Sequence, residues 1–559
     1  MTRGWLVAGF AVAGLALAPV AGLAGLAAHG SGELWPHLWS FVLPQAARET
    51  ATLLLGVGIV VSVVGVGTAW TVAAFRFPGR GLFEWALLLP LAMPAYVAAF
   101  AYADLLHPLG PAQSGLRWLL GYASPRDLRL PDIRSMGGCI LLLGATLYPY
   151  VYLTARATFA MQSAAVLEVP RTLGAGPWRT FFTVALPLAR PAIAVGAALA
   201  LMEALNDVGA AEFLGVRTLT VSVYTTWVNR SSVEGAAQIA LMMLGLVIAL
   251  VALERWARRR QATMSSARQA RRAAPRDPGP LGRALCVAVC AAPILVGFVA
   301  PALHLANEAA ARVAAFGFPA QIVAEAANSF AFAGLATVIA VAFGFTAAYA
   351  ARLCGKPAKL ALRTAGVGYA MPGVVVAVGL LTPLAAFDNM VDGWSRELFG
   401  VSTGLLISGS GAALIYAYVV RFLAIPAGAI EAGLGKIPRS LDDTARSLGE
   451  RPFGVALRIH APLAAPAIGA AALLVFVDCM KELPATLLLR PLNFETLATH
   501  VYGEAARGSY ESGAVAALAI VAVGLLPVVL IAKASGKASE RAVLEAAAAP
   551  PTGGFATPA

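Results

Sequence analysis

Apolar stretches separated by short polar ones run along the whole chain. They lie near 5–28, 51–75, 83–106, 136–156, 184–205 and 235–254, and again near 284–306, 328–352, 360–385, 406–430, 461–478 and 513–533. Most have the length of the roughly 20 residues that carry a helix across the hydrocarbon core of a bilayer. The pattern predicts an all-α polytopic membrane protein with about twelve transmembrane helices. Arg3 is the only charge before the first stretch, and no clear cleavage site follows it, which fits a retained first span better than a removed signal peptide.

Composition agrees. Of 559 residues, 59% are hydrophobic and 13% charged, about half the charge that a soluble domain carries on its surface. The net charge of +12 would fit a nucleic-acid partner in a soluble protein, but its location argues otherwise. Between the sixth and seventh stretches, Glu254 to Arg283 holds nine arginines against Glu254 and Asp277, a net of +7. Positive loops stay on the cytoplasmic side, so this segment is expected there. Six spans on each side of it then place both termini in the cytoplasm too. Arg76 and Arg80 support that orientation; Arg117, Arg126, Arg129 and Arg134, in an outer loop, oppose it. The expected organisation is a first membrane domain at 1–254, a basic linker at 255–283, a second membrane domain at 284–535 and a disordered tail at 536–559. Cys139, Cys286, Cys290, Cys354 and Cys479 lie in or beside apolar runs, without zinc-site or disulfide spacing, and read as small buried hydrophobes.

The two sides are related. Ala92-Met93-Pro94 recurs as Ala370-Met371-Pro372, and Thr218-Leu219 with Val223-Tyr224 recurs as Thr496-Leu497 with Val501-Tyr502, both at an offset of 278. Leu173-Gly174 recurs as Leu448-Gly449 at an offset of 275. An even number of spans per repeat gives both the same orientation, so the chain is a fused parallel duplication of two six-helix repeats. A pathway at the interface of the repeats is the natural expectation.

Each repeat has one polar segment between its fourth and fifth spans. The first runs Glu168-Val169-Pro170-Arg171-Thr172-Leu173-Gly174, then nine residues, then Val184-Ala185-Leu186-Pro187. The second runs Asp443-Thr444-Ala445-Arg446-Ser447-Leu448-Gly449, then nine residues, then Ile459-His460-Ala461-Pro462. The acid would sit near a helix start, where it complements the dipole, and the glycine would end that helix. Second short helices are expected at 177–182 and 452–458, with Pro187 and Pro462 opening the next span. Arg171, Arg179, Arg446 and Arg458 would be free for contact. One such segment reads as a solvated loop; two in register read as a docking element.

These segments resemble the glutamate-alanine-alanine loops of ABC importer permeases, although Val169-Pro170 replaces the two alanines in the first, and Asp443-Thr444 and Ala461 depart in the second. The resemblance implies the type I ABC importer permease fold and coupling loops that seat on a cytoplasmic ATP-binding subunit dimer. It marks Glu168, Arg171, Gly174, Pro187, Asp443, Arg446, Gly449 and Pro462 as coupling residues. It also implies a bacterial inner-membrane location and a periplasmic substrate-binding protein. Phe476–Thr486, Leu487–Pro491 and Glu203–Gly209 are similar to the fused permeases of ferric-iron importers. Thiamine, sulfate, molybdate and polyamine permeases share much of this architecture.

Four residues are candidates for the path itself. Asp207 and Glu482 match at an offset of 275 and are expected at an outer mouth, either receiving a cationic cargo or pairing locally with Lys481 or Arg217. Pro94 and Pro372 would kink or open their third spans. Glu234 and Glu511 read as helix-start charges, and His460 as an incidental exposed histidine. No phosphate loop, metalloprotease helix, nucleophile elbow or metal-ligand motif occurs, so no catalytic role, bound metal or cofactor is expected, and ATP would be used by a partner. A self-contained transporter driven by an ion gradient is the rival of another class. It calls for ionisable residues at mid-membrane and leaves the two matched glycine loops unexplained.

Overall fold

The computed structural model describes residues 2–122, 124–162, 174, 176–262 and 275–548. They are helical throughout; among the described residues the one β-bridge joins Phe75 to Arg276. Ten helices are long and apolar enough to cross a membrane. In chain order they are α1 (Arg3–His29), α2 (Leu34–Ala74), α3 (Met136–Ala160), α4 (Trp178–Asn206), α5 (Val233–Leu253), α6 (Gly279–Phe316), α7 (Ala320–Cys354), α8 (Gly373–Phe399), α9 (Pro452–Met480) and α10 (Tyr510–Leu530). Two bent pairs, Arg80–Ala92 with Ala95–Leu105 (88°) and Ala412–Phe422 with Ala424–Gly435 (46°), raise the crossings to as many as twelve, where each pair counts as one broken span. The stripe Leu55, Ile59 and Val63 on α2 recurs every four residues and is exposed, as a lipid-facing face should be.

Proline explains both the breaks and the continuities. The residue before a proline is driven out of the helical region, and Met93 and Met371 are accordingly extended. Pro94 and Pro372 then start the next helix, so each opens its span as expected from the sequence. Elsewhere the helix survives. Proline clashes with the carbonyl four residues back, and a π turn lies over that position before Pro44, Pro187, Pro301 and Pro462. Widening the turn at 181–185 and 456–460 removes the clash. Pro187 and Pro462 therefore do not open new helices, contrary to expectation; they lie inside helical runs that begin at Pro177 and Pro452.

The N-terminus, 74–76, Arg276, the end of α7 and 434–453 share one end of the molecule. Arg276 donates its N–H to Ala74 and accepts from that of Arg76, and Trp5 packs edge-on against Tyr349. At the opposite end, Ser31 bonds Gln238, and Arg134 bonds Tyr510. Arg117, in the loop at that end, is buried and donates to the carbonyls of Pro108 and Leu128 and to Ser114. It ties the loop to itself.

The repeats are interleaved. Helix α1 packs along α7, α8 and the short helix Lys356–Ala365 of the second repeat, besides α5 of its own. Gly22 and Gly379 make that crossing possible: a Cβ on Gly22 would lie 2.1 Å from the Gly379 carbonyl oxygen. Reciprocally, α6 packs against α2 and Ala95–Leu105 of the first repeat and against α10 of its own. Tyr102 donates to the Val296 carbonyl there. The helix containing α5 continues to Ala262, into the basic linker. The one containing α10 continues to Ala548, across residues for which the sequence predicted a disordered tail.

Candidate functional site

A cavity of about 130 Å³ lies between the repeats. The first repeat lines it with Pro90, Met93, Pro94, Tyr96, Tyr150, Glu203, Asn206 and Asp207, the second with Tyr369, Arg421, Asp478, Lys481, Glu482 and Pro484. Its ionisable residues are pseudo-symmetric. Glu203 matches Asp478, Asn206 matches Lys481 and Asp207 matches Glu482, all at an offset of 275. Four carboxylates face two cations.

Asp207 and Glu482 occupy the same structural niche. The chain breaks after α4 and α9, and each acid caps the short helix that follows. Asp207 accepts from the Ala210 N–H at 2.6 Å. Glu482 accepts from the N–H of Ala485 (3.0 Å) and Thr486 (3.1 Å) and from the Thr486 hydroxyl (2.9 Å). Such caps satisfy helix-start donors and suit the dipole. Glu482 also pairs with Arg421 at 2.9 Å, both side chains buried. Its local partner is thus Arg421, not Lys481, which pairs with Asp478 at 2.8 Å. Nor does Arg217 hold Asp207: its backbone N–H donates to Glu49. Asp207 and Glu203 have no ion-pair partner among the described residues.

Arg421 was missed in the sequence, although it is the one charged residue of its apolar stretch at 406–430, and a lone charge at membrane depth demands a partner. At neither repeat offset does the first repeat carry a charge there, since Leu143 and Thr146 stand 278 and 275 residues earlier and both line the cavity, so the symmetry of the cavity is broken at that point. Gly373, next to Pro372, makes room for the pair. A Cβ there would meet the Arg421 guanidinium at 2.2 Å and a Glu482 carboxylate oxygen at 2.5 Å.

At the linker end, Glu168 and Arg171 lie outside the described residues. Gly174 and Gly449 have φ of +81° and +80°, conformations that disfavour any residue with a Cβ. At Gly449 the turn is a Schellman motif: Glu450 N–H bonds the Ala445 carbonyl and Gly449 N–H that of Arg446. The helix it ends is Arg439–Ser447, so Asp443 lies mid-helix rather than at the start, exposed and 3.8 Å from Arg446. Its neighbour Asp442 occupies the first turn and points inward. Arg352, at the end of α7, donates to Asp442 at 2.5 Å and to the Leu434 and Ile437 carbonyls. The second Asp442 oxygen faces His460 Nε2 at 3.1 Å. His460 is completely buried, not exposed as expected. The first repeat has Ala74, Leu167 and Ala185 at the positions of Arg352, Asp442 and His460. Near the turns, Trp178 and its counterpart Phe453 are both exposed, as are Phe182 and its counterpart Leu457.

Ten to twelve membrane crossings in two interleaved repeats around a charged cavity with room for several waters have the architecture of a transport permease. The family model for binding-protein-dependent transport system inner membrane components matches residues 63–263. The molybdenum transport system permease ModB of Azotobacter vinelandii is 30% identical over 32% of this chain and 78% of its own length. The chain belongs to that family and is an ABC importer permease of the binding-protein-dependent type, with the type I fold. An Fe(3+)-transport system permease of Haemophilus influenzae is 24% identical over 86% of this chain and 88% of its own. Escherichia coli ModB is 27% identical over 34% of this chain and 83% of its own.

Proposed function

We propose that this chain forms the whole membrane pathway of an ATP-driven importer and that its cargo is ferric iron. The acid excess of the cavity carries the choice of cargo: four carboxylates against Arg421 and Lys481 leave a negative surplus that attracts a cation and repels molybdate or sulfate. The similarity to an iron permease along nearly the full length of both chains supports the same reading, as molybdate and sulfate permeases match about a third of this chain. The linker end faces the cytoplasm and the opposite end a periplasmic binding protein. The segments at Glu168–Pro187 and Asp443–Pro462 each seat on one ATP-binding subunit, which supplies the hydrolysis, and the exposed Trp178, Phe182, Phe453 and Leu457 offer apolar surface for that contact. ATP binding closes the subunit pair and drives both loops, so ATP and outward access favour each other.

Two measurements test this in proteoliposomes containing the ATP-binding subunits. Replacing Gly174 and Gly449 together by valine forces a β-branched residue into positive φ, at about 1–2 kcal/mol or more per site. ATP hydrolysis should then lose its stimulation by the loaded binding protein, and uptake should fall; unchanged coupling removes the docking role. For the cargo, Glu203→Gln with Asp207→Asn withdraws the two cavity carboxylates that have no ion-pair partner among the described residues, while asparagine keeps the cap. Ferric-iron uptake is expected to drop roughly tenfold, equivalent to about 1.4 kcal/mol. Uptake at the parent rate would assign these acids to packing alone.

A further inference from the structure

A second cluster of chemistry-bearing residues lies apart from the cavity, where α6 of the second repeat meets Ala95–Leu105 of the first. We propose that Asp104, His304 and Glu308 form a binding site for a divalent first-row transition metal of the zinc type, which clamps the two repeats together at the end opposite the linker. One ligand atom from each residue lies within 4.8 Å of the other two. His304 Nε2 is 2.9 Å from an Asp104 carboxylate oxygen. His304 and Glu308 are four residues apart on α6 and share one face of it. The histidine is buried and the two acids are half-buried.

Charge balance favours a cation. Two carboxylates face a single imidazole, and among the described residues no lysine or arginine pairs with Asp104 or Glu308. Arg312, one turn beyond Glu308, is the obvious partner on the helix, yet its guanidinium lies over the Phe316 ring, 4.3 Å from the centroid. One imidazole with two carboxylate oxygens suits zinc, cobalt or manganese better than calcium or magnesium, which favour all-oxygen shells. Zinc binds such donors at about 2.0–2.2 Å, so the three groups close by side-chain rotation and water completes the shell. The ion takes the Nε2 lone pair of neutral His304 in the tautomer that carries its proton on Nδ1, so the metal replaces the hydrogen bond between His304 and Asp104. The sequence hid the site because Asp104 and His304 are 200 residues apart, without any ligand spacing.

The site stands whether or not the cargo is iron, so its test reads binding and not transport. Full-length protein purified in detergent and stripped with chelator is titrated with Zn2+ and, separately, Co2+, with metal content, visible Co2+ ligand-field bands and melting temperature as readouts. One zinc per chain, Co2+ bands and a raised melting temperature are expected. His304→Ala should abolish all three. Asp104→Asn, which can keep its hydrogen bond to His304, and Glu308→Gln should each weaken binding by at least the roughly tenfold that loss of a residue behind metal ligands costs. Size-exclusion profiles confirm that the variants remain folded. Failure of the parent to bind zinc, or binding that the three substitutions leave unchanged, overturns the proposal and leaves a plain His304–Asp104 hydrogen bond.

Discussion

Arg421→Leu, which makes the cavity wall apolar at that point, is expected to destabilise the protein more than any other single change in the cavity. Glu482 lies almost wholly inside the protein and would keep its three capping donors but lose its one ion-pair partner among the described residues. Removing one partner of a buried pair costs about 3–5 kcal/mol, because the charge that stays behind is uncompensated. The surplus of carboxylates in the cavity grows at the same time. Thermal unfolding in detergent should register the loss, and ferric-iron uptake should fall with it. Arg421→Leu combined with Glu482→Gln should regain most of the stability, since no lone charge remains and the neutral side chain still accepts from the helix start. A single variant that melts with the parent would show that water already solvates Glu482.

The second large effect is expected at Asp442. Alanine there strips Arg352 of its carboxylate and His460 of its facing oxygen, while the Leu434 and Ile437 carbonyls still hold the guanidinium. A loss of about 3 kcal/mol follows from breaking a pair this buried. The loss is concentrated in Arg439–Ser447, which the pair ties to α7. ATP hydrolysis by the assembled transporter should then continue while uptake slows, because the helix that would carry the motion is no longer fixed to the membrane body. Asp443→Ala, one residue on and exposed, should change melting within about 0.5 kcal/mol. Equal melting of the two variants would deny Asp442 its anchoring role.

The spans and their duplication were legible because length and apolarity dictate membrane crossing, and the twelve stretches fall on ten long apolar helices and two bent pairs. Pro94 and Pro372 were legible as breaks since proline constrains the residue before it. Pro187 and Pro462 misled for the same residue type, because the helix widens into a π turn before each of them and continues. Asp443 was taken over Asp442 because the two repeats align there, yet adjacent residues on a helix point about 100° apart, and only the inward one reaches Arg352. Arg421 stayed hidden because its partner lies 61 residues away. The burial of His460 depends on α7 and on Asp442, from other segments, which no local pattern announces.

The crossing of α1 onto α7 and α8, and of α6 onto the first repeat, bears on how the protein is made. When the ribosome has completed α5, α1 has met only one of its eventual neighbours, and the surface that receives α6 is bare. The first repeat must wait in the lipid with exposed seams until residues near Phe399 have been inserted, and only then can either half finish folding. Joining the repeats in one polypeptide shortens that wait from a search through the membrane to the time needed to synthesise the next few hundred residues. It also fixes the stoichiometry at one to one, so the two cations of the cavity, Arg421 and Lys481, always come from one side of it.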